Sequence, residues 1–210
     1  MQLHPDGRLV GYTIITNYFG SLYVVNAEGG TPRRLTEETA NAFCGIWSID
    51  GKWIYFSSTR SGNFEIWRMP AEGGAAVQIT KNGGFEAFES VDGKFLYFSK
   101  VDFRTASSTI WKIPVGGGKE SLVFDKTIHP RDWAVGEKGI YFIPREEVHE
   151  PLLQFFIFET GRITSVARLE KDFPLDAFFS GLAVSPDGRW VICSLAEQQG
   201  SDIMLVENFR

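Results

Sequence analysis

Side chains that do chemistry are scarce in this chain. Its three histidines, His4, His129 and His149, fall in different stretches with loop-like surroundings. No His-x-x-x-His or Cys-x-x-Cys spacing occurs, so no metal site is expected. The two cysteines, Cys44 and Cys193, each sit inside an apolar strand-like run and are expected as buried free thiols. No Gly-x-Ser-x-Gly nucleophile elbow is present. Gly116-Gly117-Gly118-Lys119-Glu120 looks like a phosphate loop but lacks its spacing. Ile113 stands where the first glycine belongs, and Glu120 replaces the hydroxyl residue after the lysine. A Ser-His-Asp triad could assemble from distant loops, but no serine has a nucleophile context. The expectation is a chain with no catalytic residue and no cofactor.

Positive charge is also lacking. The net charge is −5, and no run of five or six like charges occurs. Nucleic-acid binding by this segment is therefore not expected. No apolar stretch reaches the roughly 18 residues that span a bilayer. The start, MQLHPDGRLV, has neither a basic region nor an apolar core, so no signal peptide is expected within this segment.

What the chain has is aromatic residues, glycine and repetition. Aromatics make up 14%, with 22 glycines, as many short strands and tight turns require. Gly29-Gly30, Gly73-Gly74 and Gly117-Gly118 recur every 44 residues, and so do Leu35, Ile79 and Val123 just after them. Asp6-Gly7, Asp50-Gly51 and Asp92-Gly93 step by 44 and then 42. A fourth, degenerate unit holds GIYFIP and LLQFFIFETGRITSVARL. A fifth holds Ser185-Pro186-Asp187-Gly188 and ends in SDIMLVENFR. The approximate repeats are 1–37, 38–81, 82–125, 126–170 and 171–210, all in one domain.

Each unit reads as four short antiparallel strands; the second gives NAFCGIWS, KWIYFSS, FEIWRM and AVQIT. In the opening turn, Pro186 presets φ, Asp187 bonds its own backbone and Gly188 takes the left-handed conformation. A four-stranded sheet with aromatics on both faces cannot bury them alone. Stacking copies around an axis buries both faces, so the fold class is an all-β propeller. Tyr55, Tyr97 and Tyr141 should occupy matching points of successive sheets. Tyr23, Trp67 and Trp111 share another repeat position, expected to pack between sheets. The first unit's inner strand is reduced to Met1–Leu3 at most, and the last unit stops after its third strand. The chain is thus expected to be either part of a ring of about six to eight blades or an imperfect ring of about five. Unpaired edge strands would favour self-association.

The stretch SSTRSGNFEIWRMPAEGGAAVQIT at 57–80, together with SPDGRW at 185–190, resembles the repeat of TolB-type propellers, also called WD40-like or PD40 repeats. Ile49 and Val91 replace the motif's proline in two units. The resemblance implies a scaffold that binds a protein, a peptide or a small ligand. It marks Asp50, Gly51, Arg60, Gly73, Gly74, Asp92, Gly93, Gly117, Gly118, Pro186, Asp187 and Gly188 as turn residues, with Arg60 expected to bond an acid of an adjacent blade. The end of the chain is similar to the carboxyl-terminal propellers of bacterial winged-helix or kinase-linked sensors. That implies a periplasmic or otherwise extracytoplasmic sensing module if the parent is membrane-anchored, and a cytoplasmic one if not. Related propellers also gate serine peptidases of the prolyl-oligopeptidase, dipeptidyl-peptidase and tricorn types, which is the alternative reading.

Loops on a rigid scaffold often carry recognition. Two loops are the candidates for partner contact: Phe103 and Arg104 in the insertion after Lys100, and Glu146, Glu147 and His149 in the polar loop 144–151.

Overall fold

The computed structural model describes residues 1–37, 41–145, 152–169, 181–185, 188–197 and 200–206. The side chains of His129 and of residues from 194 onward lie outside the description. Among the described residues every regular element is a strand, and no helix is long and apolar enough to cross a membrane.

The strands follow the repeat. The first sheet is β1 (Gln2–Leu3), β2 (Leu9–Thr16), β3 (Phe19–Asn26) and β4 (Arg33–Arg34). The second is β5 (Ala42–Trp47), β6 (Trp53–Ser58), β7 (Glu65–Pro70) and β8 (Val77–Gln78). The third is β9 (Ala87–Glu89), β10 (Phe95–Asp102), β11 (Ser107–Pro114) and β12 (Ser121–Leu122). The fourth is β13 (Ile128–Val135), β14 (Gly139–Pro144), β15 (Leu152–Ile157) and β16 (Ile163–Arg168). The fifth is β17 (Leu182–Val184), β18 (Val191–Glu197) and β19 (Gly200–Val206). Strand order is sequence order within each, as a chain of hairpins requires.

Three details differ from the sequence expectation. The outer strands β4, β8 and β12 shrink to two residues each. The rest of their hydrogen bonding comes from single contacts beyond the strand: Leu35, Ile79 and Val123 donate to Leu22, Ile66 and Ile110 of the third strands at 2.8, 2.8 and 2.9 Å. Thr36 and Thr80 complete this ending, each hydroxyl accepting a third-strand amide, from Leu22 at 3.1 Å and Ile66 at 2.8 Å. Second, Ser108 of β11 also pairs with Ile128 of β13, a bridge that the repeat pattern does not foresee. Third, Cys44 is only half-buried. It sits in a bulge of β5, where the register slips between Phe43 and Ile46 and its φ is +51°. Cys193 is buried and free as expected, and burial pushes its thiol up.

The chain divides into two compact units, Met1–Lys100 with Lys112–Glu120, and Val101–Trp111 with Ser121–Arg210. In the first, the core lies between the first and second sheets. Leu22 and Val24 of β3 meet Ala42, Trp47, Ile54, Phe56 and Met69, and Trp67 packs against this cluster partly buried. In the second, Ala134, Tyr141, Ile143 and Leu153 of the fourth sheet meet Leu182, Val191 and Cys193 of the fifth. Phe124 stacks on Phe142, with ring centroids 4.7 Å apart. Both clusters bury a sheet face that would otherwise cost about 25 cal/mol per Å² of exposed apolar surface.

The three tyrosines stand at matching points. Each lies on the second strand opposite the first: Tyr55 faces Ile46, Tyr97 faces Phe88 and Tyr141 faces Ala134. All three are buried, and burial is the main reason that each phenol is pushed up. The first sheet breaks the pattern. Gly11, 44 residues before Tyr55, pairs with Val24 as Tyr55 pairs with Arg68. The indole of Trp47 fills the vacated space: a Cβ on Gly11 would lie 3.3 Å from its Nε1. Position 47 corresponds to Glu89 on β9 and Val184 on β17, since each pairs with the residue just before its sheet's aromatic or its substitute. Small against large at Gly11 and Trp47 thus becomes large against smaller at Tyr55 and Glu89, and at Tyr141 and Val184. Glycine at position 11 exchanges a side chain of its own sheet for one donated by the next.

Candidate interaction site

The opening turns show why the polar residues of the repeat are where they are. In the second sheet Ser48 Oγ donates to Asp50 Oδ1 at 2.7 Å and accepts the Trp53 amide at 3.0 Å. Asp50 Oδ1 also accepts the Lys52 amide at 3.0 Å. The hydrogen bond from Ser48, followed by that from the Lys52 amide, lowers the Asp50 carboxyl to about 2. Ser90 and Asp92 repeat this geometry, with Lys94 and Phe95 as the amide donors, and Asp92 is likewise lowered to about 2, first by Ser90. In the fifth sheet Ser185 accepts the Trp190 amide at 3.0 Å. Gly51, Gly93 and Gly188 all have φ near +70°. Pro186 and Asp187 lie outside the described residues.

His4 takes the serine's place in the first turn. Its Nδ1 lies 2.6 Å from Asp6 Oδ1, the bond the serine makes elsewhere. The longer side chain then reaches the next sheet's turn, where Nε2 lies 3.0 Å from the Gly51 carbonyl oxygen. The ring meets Trp47 edge-on with centroids 4.7 Å apart. Gly51 is needed twice over, because a Cβ there would fall 2.5 Å from His4 Nε2. On the other side of that turn, Glu89 accepts the Ile49 amide at 2.7 Å, and burial raises its carboxyl despite this bond. The turn 48–51 is therefore held by side chains of both adjacent repeats.

Arg60 rests on aromatic rings. Its guanidinium lies over the rings of Phe56 and Trp67, 5.2 and 4.9 Å from their centroids, and Nε donates to Ser58 Oγ at 3.2 Å. Aromatic stacking within its own sheet holds it, and Glu37 of the preceding repeat adds a Coulombic attraction. Gly73, Gly74, Gly117 and Gly118 all have positive φ in the turns that end the third strands.

Two hairpin tips present the exposed contact residues. In the second unit, the tip of β10 and β11 exposes Phe103 at 46%, and the Arg104 side chain is 92% exposed beside Asp102 at 3.5 Å. The Arg104 amide donates to Asp102 Oδ1 at 2.9 Å, and Arg145 reaches back to donate to the Ala106 carbonyl. Sequence reasoning missed the other tip. In the first unit, the turn joining β2 and β3 exposes Ile15 at 62% and Tyr18 at 94%. Asn17 and Tyr18 both have positive φ, 51° and 65°, the conformation that a two-residue hairpin turn demands and that tyrosine rarely adopts. The signal was available: residues 9–26 contain no charged side chain. Glu146, Glu147 and His149 lie outside the described residues. Among the described residues no group of three acidic, histidine or cysteine side chains is placed to hold a metal.

Comparison with known proteins places this architecture. The chain is 29% identical over 136 residues to an uncharacterized protein of Agrobacterium fabrum, a match covering 62% of the chain and 44% of that protein. It superposes on TolB from Acinetobacter baumannii with a TM-score of 0.77 at 20% identity, covering 98% of this chain and 50% of that one. A puromycin-hydrolyzing peptidase of Mycobacterium tuberculosis matches with a TM-score of 0.61 at 14% identity, over 92% of this chain and 33% of the peptidase. The chain thus spans about half the length of the first relatives it matches. The model of the TolB beta propeller domain, PD40, matches residues 2–130, and with more than half its length so matched the chain belongs to the TolB-type β-propeller family.

Proposed function

We propose that this chain is a non-catalytic propeller module that binds a protein or peptide through hairpin tips, with a small ligand as the lesser alternative. The observation that carries the reading is how the polar residues are used. His4, Ser48, Asp50, Ser90, Asp92, Glu65 and Thr80 are each engaged in holding a turn or joining strands. In His4 both ring nitrogens are so engaged, with Asp6 and with the Gly51 carbonyl. The sheets meanwhile carry Phe103 and Arg104 outward on a hairpin whose tip turn accepts a hydrogen bond from Arg145 at Ala106. An exposed aromatic beside an exposed arginine is the composition of interface anchors.

In this reading the five repeats belong to one propeller domain, part of a ring of about six to eight blades, and the module serves as the extracytoplasmic sensing end of a larger bacterial protein. A second reading has one observation in its favour, the fold shared with the mycobacterial peptidase. There the chain would be the gating propeller of a serine peptidase. Both readings are tested by affinity capture with the full chain against a Phe103→Ser/Arg104→Glu variant of equal thermal stability. The binding reading expects a partner retained by the wild type and lost by the variant. Equal capture by both, or hydrolytic turnover by the purified chain that one loop substitution abolishes, overturns it.

A further inference from the structure

The link that carries the chain from β8 to β9 reads Lys81-Asn82-Gly83-Gly84, and it contains the sole Asn-Gly pair of the sequence. That dipeptide has a reaction of its own. With no Cβ on the glycine, its backbone nitrogen can reach the asparagine side-chain carbonyl carbon. A bond forms between Gly83 N and Asn82 Cγ, and the Cγ–Nδ2 bond breaks. The proton from the Gly83 amide leaves with that nitrogen as ammonia, and a succinimide remains. Water then opens one carbonyl or the other, giving aspartate or isoaspartate. Asparagine is depleted from heat-adapted proteins as a thermolabile residue.

The electrophile is accessible, because Asn82 is exposed in its turn. The nucleophile is restrained. The Gly83 amide donates to both carboxylate oxygens of Glu65, at 3.0 and 3.1 Å. Glu65 is only 4% exposed, and the Thr80 hydroxyl fixes it by donating to Oε2 at 2.6 Å. The Thr80 oxygen is itself anchored by the Ile66 amide at 2.8 Å. The next residue has no slack: the Gly84 amide donates to Phe64 O at 2.9 Å, and a Cβ on Gly84 would fall 2.7 Å from Ile66 Cγ1. For ring closure the Gly83 amide must lose its proton and swing to Asn82 Cγ. A carboxylate beside it disfavours the amide anion. The swing would also strip a buried carboxylate of a donor, a costly change.

We propose that Asn82-Gly83 is a site of spontaneous backbone modification that the folded chain holds in check by fixing the Gly83 amide on Glu65. The reaction then proceeds only from molecules in which the 81–84 link has opened, so product accumulates with the time spent open. Isoaspartate there lengthens the main chain by one carbon at the crossing between the second and third sheets and adds a negative charge next to Glu65. The modified crossing cannot regain the same hydrogen bonds.

The test is peptide mapping by mass spectrometry, with enzymatic methylation of isoaspartate as a second readout, after incubation of the full chain at mildly alkaline pH. Wild type is compared folded and in urea, and with the variant Glu65→Ala. The folded chain should modify at Asn82 at least about tenfold more slowly than the unfolded chain. Glu65→Ala, with its strand content verified by circular dichroism, should move toward the unfolded rate. Equal rates in folded and unfolded wild type overturn the proposal, as does a folded Glu65→Ala that stays fully protected. If that variant does not fold, hydrogen exchange in the wild type decides: a Gly83 amide that exchanges well behind that of Lys81 supports the guard, and equal exchange refutes it.

Discussion

Replacing Trp47 probes the exchange of side chains between the first two sheets. The indole is 7% exposed and stands 3.3 to 3.5 Å from where a Gly11 side chain would begin. Trp47→Ala removes it and leaves a cavity, at a cost of about 3–5 kcal/mol. Gly11→Tyr alone restores the repeat's tyrosine but drives it into the indole, and overpacking of this kind costs about 1–3 kcal/mol. The two changes together should recover part of both losses, because the new ring then occupies the space the indole left. The coupling should favour the double variant by about 1 kcal/mol or more relative to the sum, within the range found for residues in contact. Urea unfolding followed by far-ultraviolet circular dichroism measures all four proteins without relying on the lost tryptophan. Losses that add to within about 0.5 kcal/mol would refute the argument that position 11 and position 47 share one space.

Gly73 has φ +88° and a Cβ there would meet the Arg33 side chain at 3.4 Å; Gly73→Val should therefore cost more than about 1 kcal/mol in thermal unfolding, and an unchanged melting temperature contradicts the turn. Asp50 and Asp92, with folded carboxyls near 2 against an ordinary 3.8, add stability that is complete above about pH 4 and lost as pH falls toward 2. In acid titrations by circular dichroism, Asp50→Asn and Asp92→Asn should flatten that part of the curve, and a curve as steep as wild type would count against the serine-aspartate turn as its source.

Much of the fold was legible because each repeat solves the same local problem. Asp-Gly pairs, Gly-Gly pairs and aromatic runs mark turns and strands by backbone chemistry alone, and the second strands fall where GIYFIP and KWIYFSS place them. The contact residues were less legible. Phe103 could be read as an insertion, while for Tyr18 the one signal was an uncharged strand pair, which does not by itself say whether its tip is buried or exposed. Arg60 shows a related limit: sequence offers acids as its partners, while folding also brings Phe56 and Trp67 beneath it.

The sequence by itself determined that the chain is an array of small antiparallel sheets, since period, turn chemistry and strand pattern are all local. Only the tertiary structure decided what each sheet presents to the next. It showed that Trp47 stands in for the absent tyrosine at Gly11, that His4 reaches past its own turn to Gly51, and that Glu65 holds the Gly83 amide. Those outcomes depend on which side chains fill a shared space, and that space exists only once two sheets have come together.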